Sequence, residues 1–243
     1  MPLSSSWPCP ARRRGSGSQV GFSGVPPTGG IGPLILVFGV LGAVWGIVSD
    51  RLAARWPARE DGSVRRVDWR TLVVIVFGAV ALAAVPDRFS GTAERALFGA
   101  FFAALVLLMA TDLDRRLLPD EVTLPLIVLG AGALIWGGDS LVNRQPMWLA
   151  IAGAVAVPLI LYVLSLPFGE GALGGGDIKF LAGVGLLTGM IRLVLAVFVG
   201  AMLSGLVIAG LLAAKRVTLK SYIPFGPFLI IGAVWASLLP VTS

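Results

Sequence analysis

The 243-residue sequence contains no histidine and a single cysteine, Cys9. Without histidine it can build neither a Ser-His-Asp nor a Cys-His catalytic centre, nor a histidine-ligated metal or haem. One cysteine alone supports no internal disulfide and no cysteine-ligated zinc. Charge is also scarce: 13% of residues are Asp, Glu, Lys or Arg, where a soluble domain has about a quarter. Hydrophobic residues make up 56% and the mean hydropathy is +0.91. A soluble globule of this length cannot hide that much apolar surface, so the composition specifies an all-α, polytopic membrane helix bundle. Thirty-two glycines and few strand-like alternations favour packed helices over a membrane barrel.

Residues 1–32 are rich in Ser, Pro, Gly and Arg and read as a disordered tail. A signal peptide is disfavoured there, because Arg12–Arg14 lie far from the next apolar run and no small-residue cleavage site follows. Residues 33–243 read as one integral-membrane domain. Its apolar segments cover roughly 33–54, 71–86, 95–111, 123–137, 147–166, 177–188, 190–214 and 225–240. Several fall short of the ~20 residues needed to cross a bilayer core, the sixth most clearly. Such a helix belongs inside a bundle.

The net charge of +6 is informative through its distribution, and it carries no nucleic-acid signal. If the loop after the first helix is cytoplasmic, twelve Lys and Arg fall on that side. They are the six from Arg51 to Arg70, then Arg115, Arg116, Lys179, Lys215, Arg216 and Lys220. Arg88, Arg95, Arg144 and Arg192 fall opposite, as do Arg12, Arg13 and Arg14 of the tail, which lie about twenty residues from the first helix at the edge of the rule's range. The positive-inside rule therefore selects this orientation, with both termini outside. The loop 55–70 reads as a solvated basic connection near anionic headgroups.

Two acids stand out from the loops. Asp112 closes the third apolar segment, in TDLDRRLLPDEVTLP, and Asp177 opens the sixth, in GEGALGGGDIKFLAGVG. Both fall at the cytoplasmic boundary in this orientation, where ionisable groups are functional candidates. Two carboxyls at close range hold one proton between them, and such a pair activates water without histidine, cysteine or metal. Asp112 and Asp114 point apart on a helix, so these two are not the pair. A divalent cation held by the two acids of DLD is an alternative. Gly174–Gly176 allow close backbone approach, although a plain turn capped by Asp177 explains them equally well. The phosphate-cradling GxxxxGK[ST] spacing is absent. Lys179 either snorkels to headgroups or pairs with a carboxylate. Pro224–Pro227 read as a helix start.

Together these stretches resemble the type IV prepilin peptidase family, membrane aspartic proteases of the GxGD class. TDLDRRLLPDEVTLP is similar to the family's aspartate followed eight residues later by LPD. GEGALGGGDIKFLAGVG resembles its E-x-x-G-x-GD-x-K block, and IPFGPFL its PFGP. The opening helix FGVLGAVWGIVSDRLAARWP is similar too. The resemblance implies Asp112 and Asp177 as the catalytic pair. It implies Gly174, Gly176, Lys179, Asp120 and Glu170 as substrate-binding residues, with no metal and no cofactor. The implied partner is a prepilin or pseudopilin whose short basic leader is removed at the cytoplasmic face of the bacterial inner membrane. Asp114, Asp120, Glu121 and Glu170 are placed to attract that leader electrostatically. Bifunctional members carry two CxxC pairs after the first helix, associated with zinc and N-methylation. Residues 55–70 contain no cysteine, so the resemblance supports peptidase rather than methyltransferase activity. Two other classes fit the residues alone: a proton-coupled transporter or channel using paired carboxylates, and a non-catalytic scaffold for pilus or secretion assembly.

Overall fold

The computed structural model describes residues 31–56, 65–137, 145–168, 173–216 and 225–239. Eight α-helices account for nearly all of them. They are α1 (Ile31–Arg55), α2 (Trp69–Arg88), α3 (Thr92–Arg115), α4 (Asp120–Gly137), α5 (Met147–Ser165), α6 (Gly175–Thr188), α7 (Met190–Ala213) and α8 (Gly226–Leu238). Each matches one apolar segment of the sequence. Helices α1, α2, α3, α5 and α7 are long and apolar enough to cross a membrane, while α8 is a shorter apolar helix. The protein is therefore a multi-pass helical membrane protein. The tail (residues 1–30), most of the loop after α1, and Glu170 lie outside the described residues.

The helix ends follow from local chemistry. Asp68 caps α2, its carboxylate accepting from the backbone N–H of Arg70 and Thr71 while the Thr71 hydroxyl oxygen accepts from the Asp68 N–H. Helix α3 ends on Arg116 at φ 57°, a left-handed cap whose N–H bonds to the Asp112 carbonyl at 2.8 Å. Gly189, at φ 83°, separates α6 from α7.

Two groups of helices form the bundle. In the first, α1 and α2 pack along their length and α3 lies against both. A Cβ at Gly42 would overlap the Gly78 carbonyl, so bare glycine lets α1 and α2 approach this closely. In the second group, α6 is embedded between α4 and α5, and α7 packs on α5 and α8. The groups meet where α3 touches α8 and, more lightly, α4. Asp112 lies on one side of this seam and Asp177 on the other.

Helix α8 is anchored at its far end. Arg192 donates to the carbonyls of Ala236, at 2.6 Å, and Ser237, and Arg88 donates to that of Leu239 at 2.9 Å. Cationic donors satisfy the last carbonyls of a helix and complement its dipole. They hold the axial position of α8 and hence of Gly226 at its other end.

Candidate active site

Asp112 occupies the last turn of α3, one residue past the end of the apolar run 95–111, because helical hydrogen bonding continues through the polar DLDR to Arg115. It is buried, with 3% of its surface exposed. Its carboxylate rests directly on the backbone of Gly226. A Cβ there would lie 2.5 Å from Asp112 Oδ2, closer than packed atoms approach. The PFGP stretch thus contributes a bare glycine that makes room for the Asp112 carboxyl. Its proline, Pro227, sits in the first turn of α8 as expected.

Asp177 is the third residue of α6 and not its cap, which is Gly174. Asp177 Oδ2 accepts the Gly174 N–H at 3.2 Å, closing the helix start from inside. Gly176 lets α6 press onto the chain leaving α3, since a Cβ there would lie 2.8 Å from the Leu118 carbonyl oxygen. This contact carries Asp177 to the seam. Asp112 and Asp177 lie within Coulombic range of one another. Each keeps one buried oxygen with no hydrogen-bond partner, Oδ2 on Asp112 and Oδ1 on Asp177. Among the described residues, no third acid, cysteine or histidine joins them in a metal-binding group.

Lys179 pairs with Asp120, Nζ to Oδ2 at 2.6 Å. It therefore straps the start of α6 to the start of α4 beside the seam. Both side chains are substantially exposed, and such a pair contributes at most about 1 kcal/mol. The described partner of Lys179 is Asp120 rather than Asp112 or Asp177.

Asp114 behaves differently from its neighbour two residues back. Its side chain is fully buried and pairs with Arg65 Nε at 2.8 Å and Arg115 Nε at 3.1 Å. Arg65 also binds Asp50 of α1 and Asp68. Asp50, itself buried, takes Arg51 and the Thr71 hydroxyl, the latter at 2.9 Å. This corrects two expectations. Arg65 is not part of a solvated loop, and Asp114 does not face an incoming ligand. Burial opposes the charge on Asp68, yet the Arg65 guanidinium and two backbone N–H groups hold its carboxyl below the ordinary value. Sequence reasoning missed Asp50 and Arg65 because their partners come from three separate elements. The one local signal was an acid near the end of an otherwise apolar helix.

A family model described as the type IV leader peptidase family matches residues 99–210. That span contains Asp112, Asp120, Asp177 and Lys179. A prepilin leader peptidase/N-methyltransferase of Aeromonas salmonicida is 35% identical over 142 residues, covering 56% of this chain and 46% of that protein. One of Burkholderia pseudomallei is 34% identical over 163 residues, covering 66% and 52%. One of Pseudomonas putida is 28% identical over 183 residues, covering 72% and 60%. The chain spans about half the length of the curated relatives it matches. No solved structure gives a significant match. The aspartate and LPD motif on α3 and α4 and the GGGD turn opening α6 all fall within residues 99–210, the span over which the chain is similar to the type IV leader peptidase family.

Proposed function

We propose that the chain is a membrane aspartic endopeptidase that removes the short basic leader from prepilin-like proteins at the cytoplasmic face of the bacterial inner membrane. Asp112 and Asp177 are its catalytic pair. One observation carries this reading: two buried acids from opposite sides of a helix seam lie within Coulombic range, each with one unpartnered buried oxygen. Buried polar atoms are nearly always paired, so an unpartnered oxygen on each of two interacting acids supports a polar ligand between them.

The chemistry follows from the pair. One carboxylate takes a proton from water as the oxygen attacks the scissile carbonyl, and the other, protonated, donates to the carbonyl oxygen. The tetrahedral intermediate collapses as a proton passes to the leaving amine. Both acids regain their starting states over the cycle. Gly174 and Gly176 shape the turn that presents Asp177. Lys179 and Asp120 hold that turn against α4, where Asp120 and Glu121 face the leader. Glu170 is assigned to the same side by its place in the GEGALGGGD run. The absence of cysteine from residues 55–70 supports peptidase activity without N-methylation.

The test is to reconstitute the protein with a defined prepilin-like substrate and identify the product's new N-terminus by mass spectrometry. Cleavage at one bond between the basic leader and the apolar helix is expected, with no N-methyl group. An intact substrate overturns the proposal, and proton flux in the same vesicles would then favour the transport reading.

A further inference from the structure

The charged cluster around Arg65 takes no part in the chemistry above, yet one of its members, Asp114, lies within one helical turn of Asp112. Arg65 Nε is 2.8 Å from Asp114 Oδ1, and Arg115 Nε is 3.1 Å from Asp114 Oδ2. The same Arg65 guanidinium pairs with Asp50 on α1 and with Asp68, the cap of α2. The side chains of Asp50 and Asp114 are buried, and that of Arg65 is nearly so. One cation thus joins the cytoplasmic ends of three helices.

Stability alone does not account for such a cluster. Apolar side chains of similar volume often hold a buried site equally well or better. What a guanidinium and its carboxylates add is direction, because the planar fork and its acceptors lock at one geometry. The direction matters here because of where Asp114 stands. Two residues separate it from Asp112, about 200° around a helix of 3.6 residues per turn. The cluster therefore grips the face of α3 nearly opposite Asp112. On the Asp112 face, Gly226 of α8 rests against the carboxyl. The Arg116 N–H closes the turn on the Asp112 carbonyl at 2.8 Å. A last turn frays unless held, since its final carbonyls lack intrahelical partners.

We propose that Arg65 is a positioning residue for cleavage: through Asp114 it locks the last turn of α3 and so fixes the Asp112 carboxyl at the seam with α6. The proposal rests on the peptidase reading above. Asp50 and Asp68 hold the guanidinium from α1 and α2, which ties the catalytic turn to the first two helices.

The experiment uses the full protein in lipid nanodiscs and compares Arg65→Met, Asp114→Asn, the double variant and Asp68→Asn. Each is assayed below its own melting temperature and normalised to folded protein. The readouts are kcat and KM on a prepilin-like substrate, and amide hydrogen exchange over residues 109–116. Arg65→Met and Asp114→Asn are each expected to lower kcat about tenfold, part of the ~100-fold that a 1 Å misplacement costs. KM should hold, and exchange over 109–116 should quicken. The double variant should be no slower than the slower single variant, because both changes break one contact. Asp68→Asn breaks the Arg65 pair on the α2 side and should keep wild-type kcat and exchange over 109–116. Wild-type kcat in the folded fraction of Arg65→Met and Asp114→Asn, additive losses in the double variant, or unchanged exchange over 109–116 overturns the proposal. A tenfold loss in Asp68→Asn also overturns it, since any breach of the cluster would then suffice. If wild type itself cuts no prepilin-like substrate, the peptidase reading fails and the positioning role with it. If wild type cuts and the variants match it, the positioning role alone fails.

Discussion

Gly226→Ala adds one methyl group on α8 and should remove most of the activity. The new Cβ would lie 2.5 Å from Asp112 Oδ2, whereas ordinary van der Waals contact begins at 3.4 Å. The carboxyl or the helix must therefore retreat by about 0.9 Å. Helix α8 resists, because Arg192 and Arg88 hold its far end. The displacement thus falls largely on Asp112. A catalytic group misplaced by about 1 Å typically costs on the order of 100-fold in rate. Overpacking costs roughly 1–3 kcal/mol of stability, which a bundle of this size tolerates. The assay is kcat and KM for cleavage of a prepilin-like substrate, with thermal melting of the same preparation. We expect kcat to fall about 100-fold, KM to change little and the protein to remain folded. Gly232→Ala supplies the contrast, since its methyl would strike the Ala196 backbone, away from Asp112. That variant should lose stability while the folded fraction keeps its turnover. Wild-type turnover by Gly226→Ala would refute the account of why this position is glycine.

Three further outcomes are expected. Arg65→Met, which removes the shared partner of Asp50, Asp68 and Asp114, should destabilise the protein by about 3 kcal/mol, the low end for a broken buried pair because Arg51 and Arg115 remain; chemical denaturation in detergent measures it. The Asp68 carboxyl is held below its ordinary value of 3.8. Its stabilising share is therefore present above that pH and lost as pH falls through the lower, folded-state value; melting temperatures of wild type and Asp68→Asn should differ near neutrality and converge in acid. Lys179→Met breaks an exposed pair, so it should shift stability by less than about 1 kcal/mol and, by loosening the turn that presents Asp177, lower cleavage measured in the same assay without abolishing it, in contrast to Asp177→Asn.

The eight helices were legible because each is a single apolar run between polar breaks, and a membrane bundle leaves few alternatives for such runs. Their ends were less so. Helix α6 begins two residues before the predicted start: glycines 175 and 176, as poor helix formers, gave no helix signal, and the Asp177 carboxyl accepting the Gly174 N–H closes the turn. Helix α3 runs four residues further than its apolar segment because Asp114 and Arg115 are paired with each other and, for Asp114, with Arg65. Asp112 and Asp177 could be nominated as ionisable groups at membrane depth. Their meeting across a seam, however, depends on contacts remote in sequence: Gly226 with Asp112, and Gly176 with Leu118. Arg65 was the clearest misreading. Locally it belongs to a basic loop, and only the fold brings Asp50 and Asp114 to it.

The most direct test of the central claim compares Asp112→Asn, Asp177→Asn and Asp114→Asn in leader cleavage, each normalised to folded protein. Asparagine keeps the shape of the side chain and cannot move the proton. Abolished cleavage by the first two, with Asp114→Asn less stable but still turning over, is the predicted result. Cleavage at wild-type rates by either Asp112→Asn or Asp177→Asn would contradict the account.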